Sequence, residues 1–171
     1  MIKTMTIVFR PLVPSDYPLL LQWLKTSHWQ AWWGEAEEEL EDIKQGLARG
    51  EHKSYIVLVE GFPLAYIQSW EPDGSPSDVW QSAITADFTG IDMSIGPSEY
   101  LGRGYGPAIL NAFAVKLFSE GSEQLIIDPD VSNTRAIRAY HKAGFRPLPD
   151  QFQVDKKTLV MGRNRTENVR M

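Results

Sequence analysis

The hydrophobic pattern of the first half of the chain alternates between the period of a strand and that of a helix. Ile7 and Phe9 lie two positions apart, as on one face of a strand. Leu40, Ile43 and Leu47 recur at helical spacing. These patterns predict strands over residues 4–10, 53–60 and 63–70. They also predict a first helix that begins at residues 14–16 and a second helix over residues 35–49.

Polar residues and glycines mark the ends of these elements. Ser15 is the predicted N-cap of the first helix, and Pro18 is compatible with its first turn. Gly50 is expected to end the second helix, and Gly61 to form the turn between two antiparallel strands. Residues 71–89 are predicted to be a long polar loop, and loops of that length in compact domains are usually functional or mobile.

The second half of the chain changes to a regular succession of strands and helices. The pattern predicts strands over residues 90–96, 123–128 and 158–163, and helices over residues 108–118 and 133–143. Antiparallel strands followed by strand–helix–strand–helix–strand predict a mixed sheet with helices on both faces, an α/β (α+β) fold. The polar tail over residues 164–171 is expected to fray.

Length and composition are those of one globular domain. The 171 residues are 43% hydrophobic and 23% charged, which is ordinary for such a domain. The sequence contains no run of about 18 apolar residues that would predict a membrane helix. The first residues lack the apolar segment and cleavage site of a signal peptide. We therefore expect no membrane partner and a cytoplasmic location.

The side-chain inventory excludes several kinds of chemistry. The chain has no cysteine, which excludes disulfides, thiolate metal sites and cysteine nucleophiles. His28, His52 and His141 lack metal-ligand spacing, so we predict no metal site and interpret them as surface or capping residues. The net charge of −5 disfavours nucleic-acid binding, because basic residues supply that affinity. An acidic balance suits a cationic small molecule, although it is also typical of chains that are merely soluble.

A glycine-rich segment lies between a predicted strand and a predicted helix. It has the sequence LGRGYG, from Leu101 to Gly106. Glycines allow close backbone approach to a ligand, and a helix N-terminus favours phosphate. The segment does not match a P-loop or a dinucleotide fingerprint, because it lacks their lysine and their glycine spacing. Plain chain reversal remains the structural alternative.

A second segment, residues 133–145, combines a capped helix with chemically active side chains. Asn133 or Ser132 is the predicted N-cap, and Gly144 the residue that ends the helix. Ala136, Ile137 and Tyr140 form an apolar stripe, which a purely structural helix would also have.

Together the two segments resemble the GNAT superfamily of acyl-CoA-dependent N-acyltransferases, over nearly the whole chain. The resemblance implies a single domain over residues 1–171, with about seven mostly antiparallel strands splayed between strands 4 and 5 and about four flanking helices. It implies acetyl-CoA as co-substrate, with the pyrophosphate bound by the glycine-rich turn. Leu101 stands where the family usually has Gln or Arg. The implied cofactor-binding residues are Met93, Ser94, Ile95, Leu101, Gly102, Arg103, Gly104, Tyr105, Gly106, Asn133, Ala136 and Tyr140.

Further segments resemble the aminoglycoside 6'-N-acetyltransferases. These segments are WWG at residues 32–34, YIQSW at 66–70, GID at 90–92, DP at 128–129 and RAIRAY at 135–140. The resemblance implies that acidic residues grip the ammonium groups of the drug. Ser77 stands where the family has Asp, with Asp78 next to it. The implied substrate-binding residues are Trp32, Trp33, Gln68, Trp70, Asp78, Trp80, Asp92, Asp128 and Asp155.

The chemistry of acetyl transfer assigns roles to three of these positions. An aliphatic amine is mostly protonated at pH 7, so a nearby group must accept its proton, and Asp92 is the predicted acceptor, directly or through water. A backbone N–H near residues 93–95 would polarise the thioester carbonyl, and Tyr140 would protonate or hydrogen-bond the leaving thiolate. Because a cysteinyl intermediate is impossible, we expect direct transfer in a ternary complex.

Structural alternatives and other functions stay open at this point. Asp92 could be a solvated strand-end carboxylate, Asp128 an Asp-Pro turn and Asp155 a turn residue. Trp32 and Trp33 could form an apolar lid instead of a wall for a cationic sugar. Trp23 is predicted to lie in the core. The acceptor could be a siderophore precursor, a polyamine or a peptide N-terminus, and a non-catalytic acetyl-CoA-binding module is a third possibility. We expect a monomer or a homodimer.

Overall fold

The computed structural model describes residues 4–72 and 87–165. Its strands are β1 (Ile7–Pro11), β2 (His52–Val59), β3 (Phe62–Trp70), β4 (Thr89–Ile95), β5 (Gln124–Ile127), β6 (Arg146–Pro147) and β7 (Met161–Asn164). Its α-helices are α1 (Tyr17–Leu24), α2 (Ser27–Gln30), α3 (Ala36–Ala48), α4 (Tyr105–Ser119) and α5 (Thr134–Lys142). The predicted mixed α/β fold is confirmed.

The sheet has seven strands in the order β1-β2-β3-β4-β5-β7-β6. β1 pairs antiparallel with β2, from Ile7 opposite Val59 to Pro11 opposite Tyr55. β5 pairs antiparallel with β7, and β6 with β7. β4 and β5 pair in parallel, with Thr89 opposite Leu125 and Gly90 opposite Ile126. The sheet is therefore mixed, as predicted.

The chain forms two compact units, and β4 contributes to both. Within the described residues, the first unit comprises 4–69 and 92–105, and the second comprises 70–72, 87–91 and 106–165. The side chain of Asp92 thus belongs to the first unit, whereas Gly90 belongs to the second.

In the first unit, helices α1 to α3 and strands β2 and β3 share one apolar cluster. α3 is amphipathic, and Ala36, Leu40 and Ile43 are its buried apolar residues. Trp23 is 4% exposed, which confirms its predicted place in the core. The cluster consists of Leu20, Trp23, Leu24, Trp29, Ala36, Leu40, Ile43, Ile56 and Tyr66. These buried aromatic and aliphatic groups supply most of the driving force for this unit, at roughly 25 cal/mol per Å² of apolar surface buried.

In the second unit, α4 and β5 are the most apolar elements. α4 buries Ile109, Leu110 and Phe113, and all but the first residue of β5 is buried. A smaller cluster joins Phe88, Ile126 and Val160, with Trp70 and Leu148 packed against it. The helix α5 ends at Lys142 and Gly144 follows with φ +91°, so the predicted helix stop is confirmed.

The predicted N-cap at Ser15 is wrong. Residues Pro14–Asp16 form a single 3-10 turn, and Asp16 is the N-cap of α1. The carboxylate of Asp16 accepts hydrogen bonds from Arg10 (2.8 and 2.9 Å) and from the backbone N–H of Val13 (2.9 Å). Because these contacts hold Asp16 at the start of α1, Asp16 and not Ser15 is the N-cap. Pro18 lies in the first turn of α1, as predicted.

Candidate active site

Asp92 lies in the middle of β4, with its carboxylate joined to the next strand. Gln68 on β3 donates from Nε2 to Asp92 Oδ2 at 3.0 Å. Both side chains are half-buried. A hydrogen bond to a carboxylate is charge-assisted, so it stabilises the ionised, proton-accepting form of Asp92. Of the sequence-predicted site residues, the structure thus brings these two into direct contact.

The Gln68–Asp92 pair continues into a chain of polar side chains across β3 and β2. Tyr66 Oη donates to Gln68 Oε1 at 2.5 Å. Ser54 Oγ lies 2.8 Å from Tyr66 Oη, and His52 Nδ1 lies 2.9 Å from Ser54 Oγ. Ser54 and Tyr66 are buried, while His52 is half-buried. Five side chains on three strands therefore form one hydrogen-bonded row that ends at Asp92.

Burial shifts the titration of two members of this row. Burial raises the pKa of Tyr66 well above its usual value, the hydrogen bond from Ser54 opposes this, and the charges of Asp92 and Glu39 add to it. Tyr66 therefore keeps its proton at neutral pH. Burial lowers the pKa of His52, against the influence of Glu51. His28 and His52, which the sequence analysis interpreted as surface or capping residues, are half-buried, and the ring of each lies within hydrogen-bond distance of a partner.

The carboxyl end of β4 is fixed by two side chains from α2. The carbonyl of Ile95 accepts the indole N–H of Trp29 at 2.8 Å and lies 2.8 Å from His28 Nε2. The next peptide N–H, of Gly96, donates to Leu64 O at 2.8 Å. These contacts fix the backbone at Ile95 and Gly96, at the end of the segment 93–95 that is predicted to supply the N–H for the thioester carbonyl.

The glycine-rich turn places its backbone at the surface. Gly102 and Gly104 have φ values of +70° and +86°, and a Cβ at either would meet no described atom within 4 Å. Tyr100 and Tyr105 pack edge to face across the turn, with ring centroids 5.5 Å apart. At both positions glycine allows a left-handed backbone conformation, which other residues adopt only at a cost in free energy. The 15-residue helix α4 follows directly, with no acidic residue in its first turn, which is favourable for an anion.

Asn133 directly precedes α5, Ala136 lies in its first turn and Tyr140 in its last, and all three are half-buried. Asn133 is the N-cap, since its side chain accepts the N–H of Ala136 at 3.3 Å. The predicted capping role is confirmed. Positions 133, 136 and 140 are three and four residues apart, so they share one face of the helix.

Two further acidic candidates among the described residues, Asp128 and Asp155, lie in the second unit, the first after a strand and the second in a loop. Asp128 directly follows β5 and is half-buried. Asp155 is also half-buried, and its Oδ1 accepts the backbone N–H of Lys157 at 2.9 Å. The turn role considered for Asp155 is therefore present. Gln153 secures this loop, because its amide bonds to Leu148 O at 3.0 Å and to both the N–H and the C=O of Val160.

The candidate tryptophans differ in their surroundings. Trp32 is 48% exposed, whereas Trp33 stacks on Trp29 at 5.1 Å and meets Tyr66 edge-on at 6.1 Å. Trp70 packs edge-on against Phe88 at 5.6 Å, and its ring occupies the space that a Cβ on Gly90 would need. Asp78 and Trp80, like Ser77, lie outside the described residues.

The described residues contain neither a cluster of metal-ligating side chains nor a helix that could span a membrane. In residues 4–72 and 87–165, no group of three or more His, Asp and Glu side chains could hold a metal ion. Within the same part of the chain, no helix has the length and hydropathy needed to cross a membrane.

Comparison with a family model decides the classification. Residues 13–151 match the model described as an acetyltransferase (GNAT) domain. The chain belongs to the GNAT acetyltransferase family. This confirms the resemblance predicted from the glycine-rich turn and the α5 segment, and it makes the protein an acetyltransferase.

Relatives of this GNAT protein include characterised enzymes. It is 34% identical over 148 residues to an aminoglycoside N(6')-acetyltransferase type 1 of Klebsiella pneumoniae, covering 82% of this chain and 74% of the relative. It superimposes on a crystal structure of the aminoglycoside acetyltransferase AAC(6')-Ib with coenzyme A and kanamycin, with TM-score 0.81, 29% identity and 94% and 96% coverage. An uncharacterised Bacillus halodurans protein shares the fold, with TM-score 0.79, 24% identity and 95% and 86% coverage.

Three members of the polar row were not predicted from the sequence as site residues: His52, Ser54 and Tyr66. A signal was present, since His52 and Ser54 lie two positions apart, as do Tyr66 and Gln68. That period places each pair on one face of its strand. The sequence does not show the register between β2 and β3, and that register places the His52–Ser54 pair in contact with the Tyr66–Gln68 pair.

Proposed function

We propose that the protein transfers the acetyl group of acetyl-CoA to the 6'-amine of an aminoglycoside. The observation that carries this proposal is the Asp92 carboxylate held by Gln68, in a chain 34% identical to an aminoglycoside N(6')-acetyltransferase. The acceptor is a polycation, and the net charge of −5 favours its approach. Acetylation removes one positive charge from the drug, which weakens its binding to ribosomal RNA and so confers resistance.

Asp92 is the proton acceptor in this proposal. It attracts the ammonium group of the acceptor and takes its proton, directly or through one water, so that the neutral nitrogen can attack. Gln68 keeps the carboxylate in one orientation through its 3.0 Å hydrogen bond. The same carboxylate therefore serves binding and proton transfer.

The residues present fit acetyl-CoA. The surface glycines at 102 and 104 have positive φ and are followed by the N-terminus of α4, where backbone N–H groups would bind the pyrophosphate. Arg103 adds an exposed positive charge. Met93, Ser94 and Ile95 on β4 and Asn133 and Ala136 on α5 would hold the rest of the cofactor. When bound, acetyl-CoA supplies an activated thioester carbon.

The remaining roles are stabilisation of the thioester oxygen, protonation of the leaving sulfur and binding of the other ammonium groups of the acceptor. A backbone N–H within residues 93–95 stabilises negative charge on the thioester oxygen. Tyr140 donates its phenolic proton to the departing sulfur and recovers it from solvent after the products leave. Asp128 and Asp155 bind further ammonium groups, and the exposed Trp32 offers an aromatic face to them.

The experiment measures thiol release from acetyl-CoA by the purified protein. The acceptors are kanamycin, tobramycin, amikacin, gentamicin, spermidine and a peptide with a free N-terminus. We expect turnover with the drugs and the acetyl group on the 6'-nitrogen of kanamycin by NMR. We expect Asp92→Asn to lower kcat by about 10²–10⁴-fold, the usual contribution of a general base, while calorimetry finds acetyl-CoA binding unchanged.

Asp150→Asn is the matched control, because it removes an exposed carboxylate that has no part in the proposal. It should behave as the wild type. Turnover with spermidine or the peptide, but with none of the drugs, would contradict the proposal and identify another amine as the acceptor. Tight acetyl-CoA binding without turnover of any amine would indicate a non-catalytic module.

A further inference from the structure

The polar row that ends at Asp92 has a fixed direction. An ionised carboxylate only accepts hydrogen bonds, so Gln68 must turn Nε2 toward Asp92 and Oε1 toward Tyr66. Tyr66 then gives its single proton to Gln68, and its oxygen accepts from the Ser54 hydroxyl. Ser54 in turn accepts from His52, which must carry a proton on Nδ1.

The surroundings of Tyr66 hold this arrangement in place. Tyr66 is fully buried, and its ring lies 6.4 Å from Trp29 and 6.1 Å from Trp33. Its hydroxyl joins Ser54 to Gln68. At the far end, the ring of His52 rests against α3, where a Cβ on Gly46 would lie 2.1 Å from His52 Nε2.

We propose that Tyr66, supported by Ser54 and His52, is a positioning residue that fixes the Gln68 amide so that its N–H points at Asp92. Without the Tyr66 hydroxyl, the amide of Gln68 loses the partner of its oxygen and can rotate about its last torsion. The carboxylate then loses its fixed orientation, which slows proton removal from the acceptor amine more than it weakens cofactor binding. This inference rests on the proposed role of Asp92.

The first test is Tyr66→Phe, which keeps the buried ring and removes only the hydroxyl. We expect kcat with kanamycin to fall about tenfold and the KM for acetyl-CoA to stay within about twofold, since the lost contact acts on proton transfer. Tyr55→Phe is the matched control, because Tyr55 is also a buried tyrosine but packs on Phe9, 6.3 Å away. It should change kcat less than twofold.

A double variant separates positioning from simple packing. If Tyr66 acts through Gln68, then Tyr66→Phe adds no further loss of kcat to Gln68→Leu. A merely structural role predicts that the two losses multiply. Ser54→Ala, the smallest change in the row, should lower kcat by a few-fold and keeps the test available if Tyr66→Phe folds poorly.

A measurement without turnover distinguishes this inference from the proposed function. Nitrogen NMR of His52 above its titration range should show the proton on Nδ1, and the Gln68 amide protons should exchange slowly in the wild type and faster in Tyr66→Phe. A proton on Nε2, an unchanged kcat in Tyr66→Phe, or multiplying losses would overturn the inference. Failure of the drugs as acceptors would instead overturn the proposed function and leave the NMR result to decide the network.

Discussion

Gly46 shows how one residue in a helix serves a side chain elsewhere. It lies inside α3, where glycine is about 1 kcal/mol less favourable than alanine. The His52 ring occupies the position of the missing side chain, with Nε2 2.1 Å and Cδ2 2.5 Å from an ideal Cβ. We therefore expect Gly46→Ala to destabilise the protein by about 1 kcal/mol, because an overpacking cost of about 1–3 kcal/mol exceeds the gain of about 1 kcal/mol from the better helix former.

The measurement is urea unfolding of Gly46→Ala, with His52→Ala and the double variant as controls. Removing the imidazole clears the space, so in the His52→Ala background the alanine at position 46 should be neutral or stabilising. A Gly46→Ala protein as stable as the wild type would contradict the close contact. The comparison also shows whether displacing His52 lowers kcat, as its place in the polar row predicts.

At the scale of elements, Arg10 and Asp16 join β1 to the entry of α1. The two groups form two hydrogen bonds, and Asp16 is 7% exposed. Burial by itself would raise the pKa of Asp16, but the hydrogen bonds from Arg10 and Val13 and the charge of Arg10 outweigh it and lower the pKa. The folded state therefore binds its proton less readily than the unfolded chain does.

We expect Asp16→Asn to cost about 1–2 kcal/mol at pH 7, the value of charge-assisted hydrogen bonds with a partly exposed partner. Because the folded pKa is depressed, this contribution is complete above about pH 4, the unfolded value. It disappears as the pH falls further, so the difference between wild type and variant should shrink below pH 4. Urea unfolding at several pH values measures it. Glu37→Gln is the control, since its pair with Lys25 is exposed and should contribute little at any pH.

Regular elements were predictable where the pattern repeats over several residues. The helix predicted over residues 35–49 is α3, capped by the side chain of Glu35, and the strands predicted over residues 53–60 and 63–70 are β2 and β3. α2 has four residues and β6 has two, which is too few to show a period. Both depend on contacts with partners distant in sequence, such as that of Trp29 with Ile95, 66 residues away.

The candidate site was predictable in a different way. Gln68 and Asp92 came from a resemblance between motifs, and the structure adds that they touch. Ser54 lies in no motif, and Tyr66 lies in the YIQSW segment but received no role from it. Their importance depends on which residues face each other across β2, β3 and β4, and a pairing of residues 24 positions apart cannot be read from local periodicity.

At the scale of the whole molecule, the net charge predicts how salt affects kcat/KM for the acceptor. The net charge of −5 and the glutamates in the first turn of α3 create a field that attracts cations. Salt shortens the range of such a field from about 10 Å at 0.1 M to about 3 Å at 1 M. If the acceptor is a polycationic aminoglycoside, we expect its kcat/KM to fall about 3–10-fold between roughly 0.05 and 0.5 M NaCl, mainly through KM.

The two substrates of the same enzyme provide the internal control for this experiment. Acetyl-CoA is an anion, so salt screens both its repulsion by the net negative charge and its attraction to Arg103, and its KM should change less than that of kanamycin. A monoamine acceptor should show a shallower salt dependence than kanamycin, because the attraction grows with the charge of the ligand. Equal salt dependence for all three would mean that salt acts on the protein's conformation, and that its acidic surface does not guide the acceptor.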